Sequence, residues 1–206
     1  MKISYSILTH NETDSLLKLI DFLVSFRDKE DEIVILDDYS DNEKTKEILD
    51  IMVSMHELKF EQRHLLKDYA GQKNYLKNMC SGDYIINIDA DELPHKQVIK
   101  NIKEILESNS TVDLYYVPRI NTVDGMTQDH INKWRWQVNE RGWINFPDWQ
   151  GRIWRNRPNI RWEKPVHEML VGFKEYAFLP QEEEYCFYHP KTIEQQEKQN
   201  NFYSTI

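Results

Sequence analysis

The sequence predicts an α/β domain built on a mostly parallel β-sheet. Strand-like and helix-like segments alternate through the first 120 residues with short connections, as in parallel sheets flanked by helices. Several strand-like segments are continuously apolar, as expected for strands that are buried on both faces. The chain of 206 residues is long enough to bury one such core without disulfides or structural metals.

The first elements are predicted from their apolar periodicity. Met1–Leu8 alternates and ends apolar, as a first strand does, and residues 14–26 carry apolar side chains at helical spacing. Glu32–Asp37 places apolar residues between acidic ones and is expected to form a buried strand, followed by a helix to about Met55. The same alternation predicts a strand at Leu58–Arg63, a helix at Tyr69–Met79, a strand at Tyr84–Ile88, a helix at 95–108 and a strand at Leu114–Val117 that Pro118 ends.

The regular alternation ends near residue 120. Residues 120–151 show little periodicity, and we expect a long functional loop with short elements there. Short strands are expected at 152–155, 159–162, 176–179 and 184–188, and a polar C-terminal helix from Lys191. The predicted organisation is one domain over residues 1–206, with a ligand-binding half at 1–119, a smaller irregular half at 120–190 and the C-terminal helix at 191–206.

The net charge of −9 is unevenly distributed along the chain. Residues 1–62 contain seven basic and fifteen acidic residues, which accounts for nearly all of the excess. All six tryptophans lie between Trp134 and Trp162, and six of the nine arginines lie between Arg135 and Arg161. A negative total argues against nucleic-acid binding on average, but a local Arg-rich surface does not exclude a polyanionic partner.

Cysteine usage and hydropathy predict a cytoplasmic protein. The two cysteines, Cys80 and Cys186, lack metal-binding spacing, and we expect two free thiols in a reducing compartment. No apolar run approaches the roughly 20 residues that a membrane-spanning helix requires. Residues 1–11 lack the apolar segment of a signal peptide.

Polar clusters follow three of the predicted strands, where parallel sheets bind their ligands. Asp89-Ala90-Asp91 follows an apolar strand, and two carboxylates at this spacing suit Mg²⁺ or Mn²⁺; the alternative is an acidic turn before a helix. Asp37-Asp38 ends another strand and offers a carboxylate to a nucleobase or ribose, or serves only as a turn. The third cluster runs from Thr9 to Glu12.

Taken together, these segments resemble glycosyltransferase family 2, whose fold is the Rossmann-like GT-A fold. The resemblance covers roughly the first 120 residues, and the segments that carry it are Ile3–Glu12, Ile33–Asp41, Gly71–Asn74 and Ser81–Glu92. Gly71–Asn74, Asp89–Glu92 and the later Val166-His167-Glu168 are similar to the lipopolysaccharide-core glucosyltransferase branch. The short chain and its C-terminal segment resemble phage-encoded members.

The resemblance implies a site for a nucleotide-sugar donor, expected to be a UDP-sugar, and a Mn²⁺ or Mg²⁺ cofactor. Asp38 would bind the base and Lys73 would face the diphosphate, while Asp89, Asp91 and His167 would hold the metal. Ala90 belongs to the same donor-binding element. The full donor set implied is Thr9, Asn11, Glu12, Asp38, Lys73, Asp89, Ala90 and Asp91.

The catalytic base is less clearly marked, because the Glu-Asp element usual in inverting members is absent. Asp148 is the first candidate, since Pro147 before it and Arg152 after it fit the placement; Glu168 is the second and Glu140 the third. A base at this position implies a single displacement with inversion, although retention stays open. The base must reach the acceptor hydroxyl within hydrogen-bond distance.

The Trp- and Arg-rich stretch after residue 133 is expected to bind the acceptor. Aromatic faces stack on sugar rings and nucleobases, and Arg pairs with phosphates or carboxylates. The expected contacts are Trp134, Trp136, Trp149 and Arg152, with the other tryptophans in the core. Two acceptor classes remain open: a glycan, and a hydroxymethylated or glycosylated base of phage DNA.

Three other function classes share parts of this pattern. A haloacid-dehalogenase-type phosphatase also has Asp-x-Asp after a strand, but Leu93 stands where its motif requires Thr or Val. A sugar nucleotidylyltransferase would have a Gly-rich basic loop after the first strand, where this chain has Thr9–Glu12. A non-catalytic nucleotide-sugar-binding module is the third alternative. The oligomeric state is left open.

Overall fold

The computed structural model describes residues 1–203, the last three by their backbone alone. The strands are β1 (Ile3–Thr9), β2 (Glu32–Asp37), β3 (Lys59–Gln62), β4 (Tyr84–Asp89), β5 (Leu93–Pro94), β6 (Leu114–Asp124), β7 (Ile144–Arg155), β8 (Arg161–Glu163), β9 (Met169–Val171), β10 (Tyr176–Phe178) and β11 (Phe187–Thr192). The helices are α1 (Asp14–Phe26), α2 (Glu43–His56), α3 (Tyr69–Met79), α4 (Lys96–Ser108), α5 (Gln128–Trp134) and α6 (Ile193–Tyr203). A short 3-10 turn lies at Glu183–Tyr185.

One large mixed sheet organises the described residues. Its strand order is β3-β2-β1-β4-β7-β6-β11-β5, and β10 pairs with the first part of β6. Strands β3, β2, β1 and β4 are parallel, whereas β7 is antiparallel to both of its neighbours, β4 and β6. The hairpin β8–β9 forms a separate two-stranded sheet.

The hydrophobic core lies on both faces of this sheet. On one face α1 and α4 bury one apolar stripe each, including Leu16 and Leu23 of α1 and Val98 and Ile102 of α4. On the other face a second cluster surrounds Trp154, which is 1% exposed. Each fully buried Leu or Ile contributes about 1.5–3 kcal/mol. The core therefore holds the strand ends in fixed positions.

Most elements predicted for the first 113 residues are confirmed, with boundaries within a few residues. The α2 helix begins at Glu43, because the Asn42 side chain caps it by accepting from the amides of Lys44 and Thr45. The two-residue strand β5 was not predicted.

The prediction of a strand ending at Pro118 is wrong, since β6 continues to Asp124. Pro118 lies where the neighbour of β6 changes from β10, which pairs up to Tyr116, to β11, which pairs from Arg119. Proline lacks an N–H and is tolerated where the ladder is interrupted.

The expectation of a long loop over 120–151 is also wrong. This stretch contains the end of β6, helix α5 and most of β7, and β7 occupies the centre of the sheet. The sequence does not show the apolar–polar alternation typical of strands here, because the inward-facing side chains of β6 and β7 include polar groups that line a charged site. The expected boundary between 119 and 120 falls inside β6.

The C-terminal helix expected over 191–206 is observed as α6, with Lys191 in the preceding strand and residues 204–206 outside the described part. Across the described residues, no helix has the length and apolar character needed to cross a membrane. Cys80 and Cys186 are free and buried.

Candidate active site

The parallel strands end side by side and form the floor of the candidate site. Thr9 at the end of β1 is in register with Asp37 of β2, and Leu8 is in register with Asp89 of β4. The three polar clusters expected from the sequence therefore lie along one edge of the sheet.

The cluster after β1 is tied together by its own hydrogen bonds. The Thr9 hydroxyl and the His10 amide donate to the Glu12 carboxylate at 2.7 and 2.6 Å. Burial raises the pKa of Glu12, and Asp91 adds to the shift. Asn11 has a left-handed backbone (φ 69°) and its side-chain oxygen accepts from the amides of Asp41 and Asn42. Asn11 thus joins the loops after β1 and β2.

Asp38 borders a cavity of about 300 Å³ beyond β1 and β2. Its carboxylate accepts from the Leu65 amide at 2.9 Å, and the imidazoles of His10 and His64 lie 3.9 Å from it. The cavity combines apolar walls with hydrogen-bonding groups, as sites for planar ligands do. Its lining residues are Leu8, Thr9, His10, Glu12, Leu36, Asp38, Leu65, Tyr69 and Gln72.

Asp89 is held by a buried arginine. Arg152 Nη2 lies 2.5 Å from Asp89 Oδ2 and also donates to Glu92, and the Arg152 side chain is 4% exposed. Burial opposes ionisation of Asp89, but the Arg152 charge lowers its pKa strongly. Ala90 is buried between the two aspartates. Arg152 was expected to bind the acceptor; the structure instead commits it to these carboxylates.

Asp91 is paired with a histidine that the sequence argument did not select. His189 Nε2 lies 3.1 Å from Asp91 Oδ2, and its Nδ1 lies 2.7 Å from the Asn121 side-chain oxygen. Burial opposes ionisation of Asp91, but its contact with His189 lowers its pKa overall. His167, the histidine expected at the metal, lines a smaller cavity that also borders Asp89.

Metal binding fits part of this arrangement. Among residues 1–203, no group of three or more His, Cys, Asp or Glu side chains is arranged to hold a metal ion. Asp91 and His189 nevertheless offer an oxygen and a nitrogen to one point. The Asn121 side-chain oxygen contacts Nδ1 and so orients the ring with Nε2 facing Asp91, as the outer partners of metal-bound histidines do. Asp89 is already neutralised by Arg152.

Asp148 is saturated with hydrogen-bond donors. Arg119 donates to its Oδ2 from Nε and Nη2 at 2.9 and 2.6 Å, Asn121 donates at 2.9 Å, and Gln150 donates to Oδ1 at 2.7 Å. Burial opposes ionisation, but the Arg119 charge and these bonds lower the pKa of Asp148. A carboxylate stabilised in this way is a weak base. The segment is part of β7 and not the turn expected from Pro147.

Glu168, the second candidate, lies in the loop between β8 and β9. It lines a cavity of about 230 Å³ together with Asp89 and Lys73. Lys73 donates to Glu168 Oε1 at 2.5 Å, and its ammonium lies 4.4 Å from the ring centre of Trp162. The Lys73 charge is therefore balanced within the protein. Glu140, the third candidate, is exposed in a turn.

The tryptophans divide between the site, the surface and the core. Trp136 lines a cavity that also borders Asp89 and Asp91, which we call the main cavity, and its ring centre lies 4.7 Å from that of Trp134. Trp149 packs on Phe178 on the face of β7 opposite to Asp148, because neighbouring strand residues point to opposite faces. It therefore lies away from the main cavity. Trp154 and Trp162 are core residues, as expected for part of the set.

Sequence reasoning missed most of the polar residues that β6, β11 and α6 contribute to the main cavity, which has a volume of about 490 Å³. His189 and Lys191 share one face of β11, since side chains alternate along a strand, and Arg119 and Asn121 share one face of β6. The missed signal is this i, i+2 spacing of polar residues within strands. The cavity is lined by Glu12, Tyr69, Asp89, Asp91, Arg119, Asn121, Thr122, Val123, Trp136, Ile144, Asn145, His189, Lys191, Gln196 and Gln199.

Comparisons with known proteins identify relatives of the chain. A family model described as glycosyl transferase family 2 matches residues 4–173. An uncharacterized glycosyltransferase of Rickettsia prowazekii is 30% identical over 109 residues, which cover 53% of this chain and 34% of that protein. One from Rickettsia bellii is 31% identical over 109 residues, with the same coverage of 53% and 34%. The chain thus spans about a third of the length of these curated relatives.

Solved structures share the fold. S. aureus TarS 1-349 superposes with a TM-score of 0.64 at 16% identity, covering 92% of this chain and 60% of that one. The complex of TarS 1-349 with UDP-GlcNAc gives a TM-score of 0.64 at 15% identity, covering 93% and 59%. The expected GT-A type of α/β fold is confirmed by these likenesses and by the family match.

Proposed function

Because the chain belongs to glycosyltransferase family 2, we propose that it transfers a sugar from a nucleotide-sugar donor to a hydroxyl of an acceptor. The observation that carries the proposal is a set of three adjacent cavities along the carboxyl ends of β1, β2 and β4, each lined in part by Tyr69. Asp38 borders one, and Asp89 borders the other two. A ligand with a base, a diphosphate and a sugar requires such a series of subsites.

The base and ribose of the donor would bind between β1 and β2. Leu8, Leu36 and Leu65 provide apolar walls for a planar base, and Asp38 offers an acceptor for an N–H or a ribose hydroxyl. A uracil nucleotide suits a cavity of about 300 Å³, and TarS 1-349 is a structural neighbour with UDP-GlcNAc bound. Thr9 and Glu12 would contact the nucleotide, while Asn11 would shape its loop.

A divalent cation, Mn²⁺ or Mg²⁺, would be held by Asp91 and His189. When bound, such an ion supplies charge neutralisation for the departing diphosphate. Asp89 would stay with Arg152 and border the sugar subsite. In this assignment His189 would be the metal-binding histidine, the role that the family resemblance implied for His167.

We assign the base role to Glu168. Its carboxylate lines the cavity next to Asp89, and Lys73 holds one of its oxygens at 2.5 Å. The acceptor O–H proton would pass to Glu168 as the acceptor oxygen bonds to the anomeric carbon. The bond from that carbon to the diphosphate oxygen breaks with its electron pair, and inversion follows. Asp148, bound by Arg119, Asn121 and Gln150, would be structural.

A saccharide is the acceptor class that we favour over modified DNA. Trp136 lines the main cavity, and Trp134 and His130 stack beside it with ring centres 5.3 Å apart. Aromatic faces suit the apolar faces of sugar rings. The main cavity is lined by the carboxylates of Glu12, Asp89 and Asp91 as well as by basic side chains. It therefore lacks the excess of positive charge that binding of a polyanion requires.

The first test is a nucleotide screen by thermal denaturation with and without Mn²⁺. A nucleotide at 100 times its Kd stabilises the folded chain by about 2.7 kcal/mol, which raises the Tm by several degrees. Slow hydrolysis of UDP-GlcNAc by the same protein would separate an enzyme from a binding module. If no nucleotide or nucleotide sugar changes the Tm, the proposed function is wrong.

The base assignment is tested by comparing two matched amide variants in the hydrolysis or transfer assay. Glu168→Gln is expected to lower turnover by about 10²–10⁴-fold while nucleotide binding persists, because only the proton acceptor is lost. Asp148→Asn should retain most turnover. The reverse pattern would assign the base to Asp148.

A further inference from the structure

Lys191, in the last strand of the sequence, lines the main cavity. Its side chain is 10% exposed, and it lies on β11 two residues after His189, on the same face of the strand. Register with Val123 of β6 fixes the backbone at this point. The ammonium therefore points into the cavity from a rigid element.

No carboxylate lies within hydrogen-bond distance of the Lys191 ammonium among the described residues. Nζ donates to Gln199 Oε1 at 2.7 Å and lies 3.8 Å from Asp91 Oδ2. An ammonium has three donors, and a neutral amide uses one of them without neutralising the charge. Gln196 and Gln199 of α6 line the same cavity, so the side chains that α6 contributes near Lys191 are neutral amides.

The other lysine and arginine side chains near Asp89 and Asp91 are already neutralised. Arg119, which lines the same cavity, donates to Glu92 and Asp148. Arg152 is bound to Asp89 and Glu92, and Lys73 forms an ion pair with Glu168 at 2.5 Å. Lys191 thus differs from all three in having capacity for an additional anion.

We propose that Lys191 binds the diphosphate of the donor and of the departing nucleoside diphosphate, so that β11 and α6 complete the donor site. This inference rests on the proposed function. Asp91 lies next to Lys191, and the diphosphate would therefore bind where His189, Asp91 and Lys191 meet. Lys73, which the family resemblance suggested for this contact, would instead orient Glu168.

The test is calorimetric titration of UDP and uridine, each into wild type and Lys191→Met, in buffer containing Mn²⁺, so that the cation proposed for Asp91 and His189 is present with every protein. Loss of one charged hydrogen bond is expected to weaken UDP binding by about 10- to 100-fold, because such bonds contribute about 1.5–3 kcal/mol. Uridine, which has no phosphate, should bind both proteins within about 2-fold. Unchanged uridine binding also shows that the variant is folded. Lys191→Arg should restore most of the UDP affinity, since it keeps the charge.

Two further variants complete the experiment. Lys29→Met removes an exposed charge before β2, at the opposite end of the strands, and should leave UDP affinity unchanged. Lys73→Met should weaken UDP binding less than Lys191→Met does. Equal UDP affinity in wild type and Lys191→Met, or a larger loss in Lys73→Met, would overturn the inference alone. Failure of wild type to bind UDP, GDP or uridine would overturn the proposed function and the inference together.

Discussion

Arg152 illustrates how one buried side chain organises the acidic edge of the sheet. The side chain is 4% exposed, and it contacts two carboxylates, Asp89 and Glu92, at the end of β4. Two carboxylates enclosed without a cation would repel each other and lack solvation. Arg152 therefore allows Asp89 to stay ionised, and this accounts for the strongly lowered pKa of Asp89.

Arg152→Met is expected to destabilise the fold by about 3 kcal/mol at pH 7, because it removes the buried cation between Glu92, which keeps only Arg119, and the partly exposed Asp89. The wild-type pKa of Asp89 is lowered, so its contribution is present above the unfolded pKa and is lost only in strong acid. Without Arg152 the pKa of Asp89 would rise, so that Asp89 becomes protonated at moderate acidity. The stability that the variant has lost at pH 7 would then be partly restored. Urea denaturation should therefore show a smaller difference between wild type and variant at pH 5 than at pH 7. A difference that is independent of pH would contradict this account, and Arg152→Lys is the charge-retaining control.

The hairpin β8–β9 is the element that brings Glu168 to the site. The Tyr69 amide at the start of α3 donates to the Pro165 carbonyl at 2.9 Å, and Asn74 of α3 exchanges hydrogen bonds with the Trp162 backbone. Gly172 follows β9 at the open end of the hairpin with a left-handed backbone, and its carbonyl accepts from the Asn159 side chain. Together these contacts hold the hairpin that carries Glu168 against α3 and the preceding loop.

Gly172→Ala is expected to destabilise the chain by about 2–5 kcal/mol, since a methyl group there would lie 1.8 Å from the Asn159 carbonyl oxygen. Gly142 has a similar φ of +76° but open space around it. Gly142→Ala, the matched control, should cost only the backbone strain of about 1 kcal/mol. Urea midpoints of the two variants provide the comparison, and equal losses would show that the close approach is unimportant.

At the scale of the molecule, the charge of −9 bears on the acceptor. A DNA-modifying enzyme needs a positive surface whose contacts release counterions, and its binding falls steeply with salt. The main cavity mixes carboxylates with cations, and the remaining arginines near the site are engaged in ion pairs.

We therefore expect no salt-dependent retention on duplex DNA, even at about 50 mM salt, where phosphate contacts are strong. Retention by a DNA column and filter binding across a salt series measure this directly. Tight binding that weakens steeply as salt rises would favour the modified-DNA acceptor over the saccharide.

Much of the fold was predictable because local patterns determine it. The apolar stripe of α4 and the continuous apolar run of β4 are visible in the sequence, and both elements occur where predicted. Residues 120–151 were misjudged because β6 and β7 alternate around polar groups such as Asn121 and Asp148, which resemble loop residues in a linear sequence.

The parallel sheet, the family and the acidic strand ends can be read from the amino-acid sequence, since each depends on residues that are close together in the chain. The pairing of each cation with its carboxylate depends instead on the folded arrangement. Arg152 is 63 positions from Asp89, and His189 is 98 positions from Asp91, in the hydrogen bonds that join them. Such pairings depend on the strand order of the sheet, in which β7 lies beside β4 and β11 lies beside β6. No local pattern encodes that order, and this is why His189 and Lys191 emerged only from the folded chain.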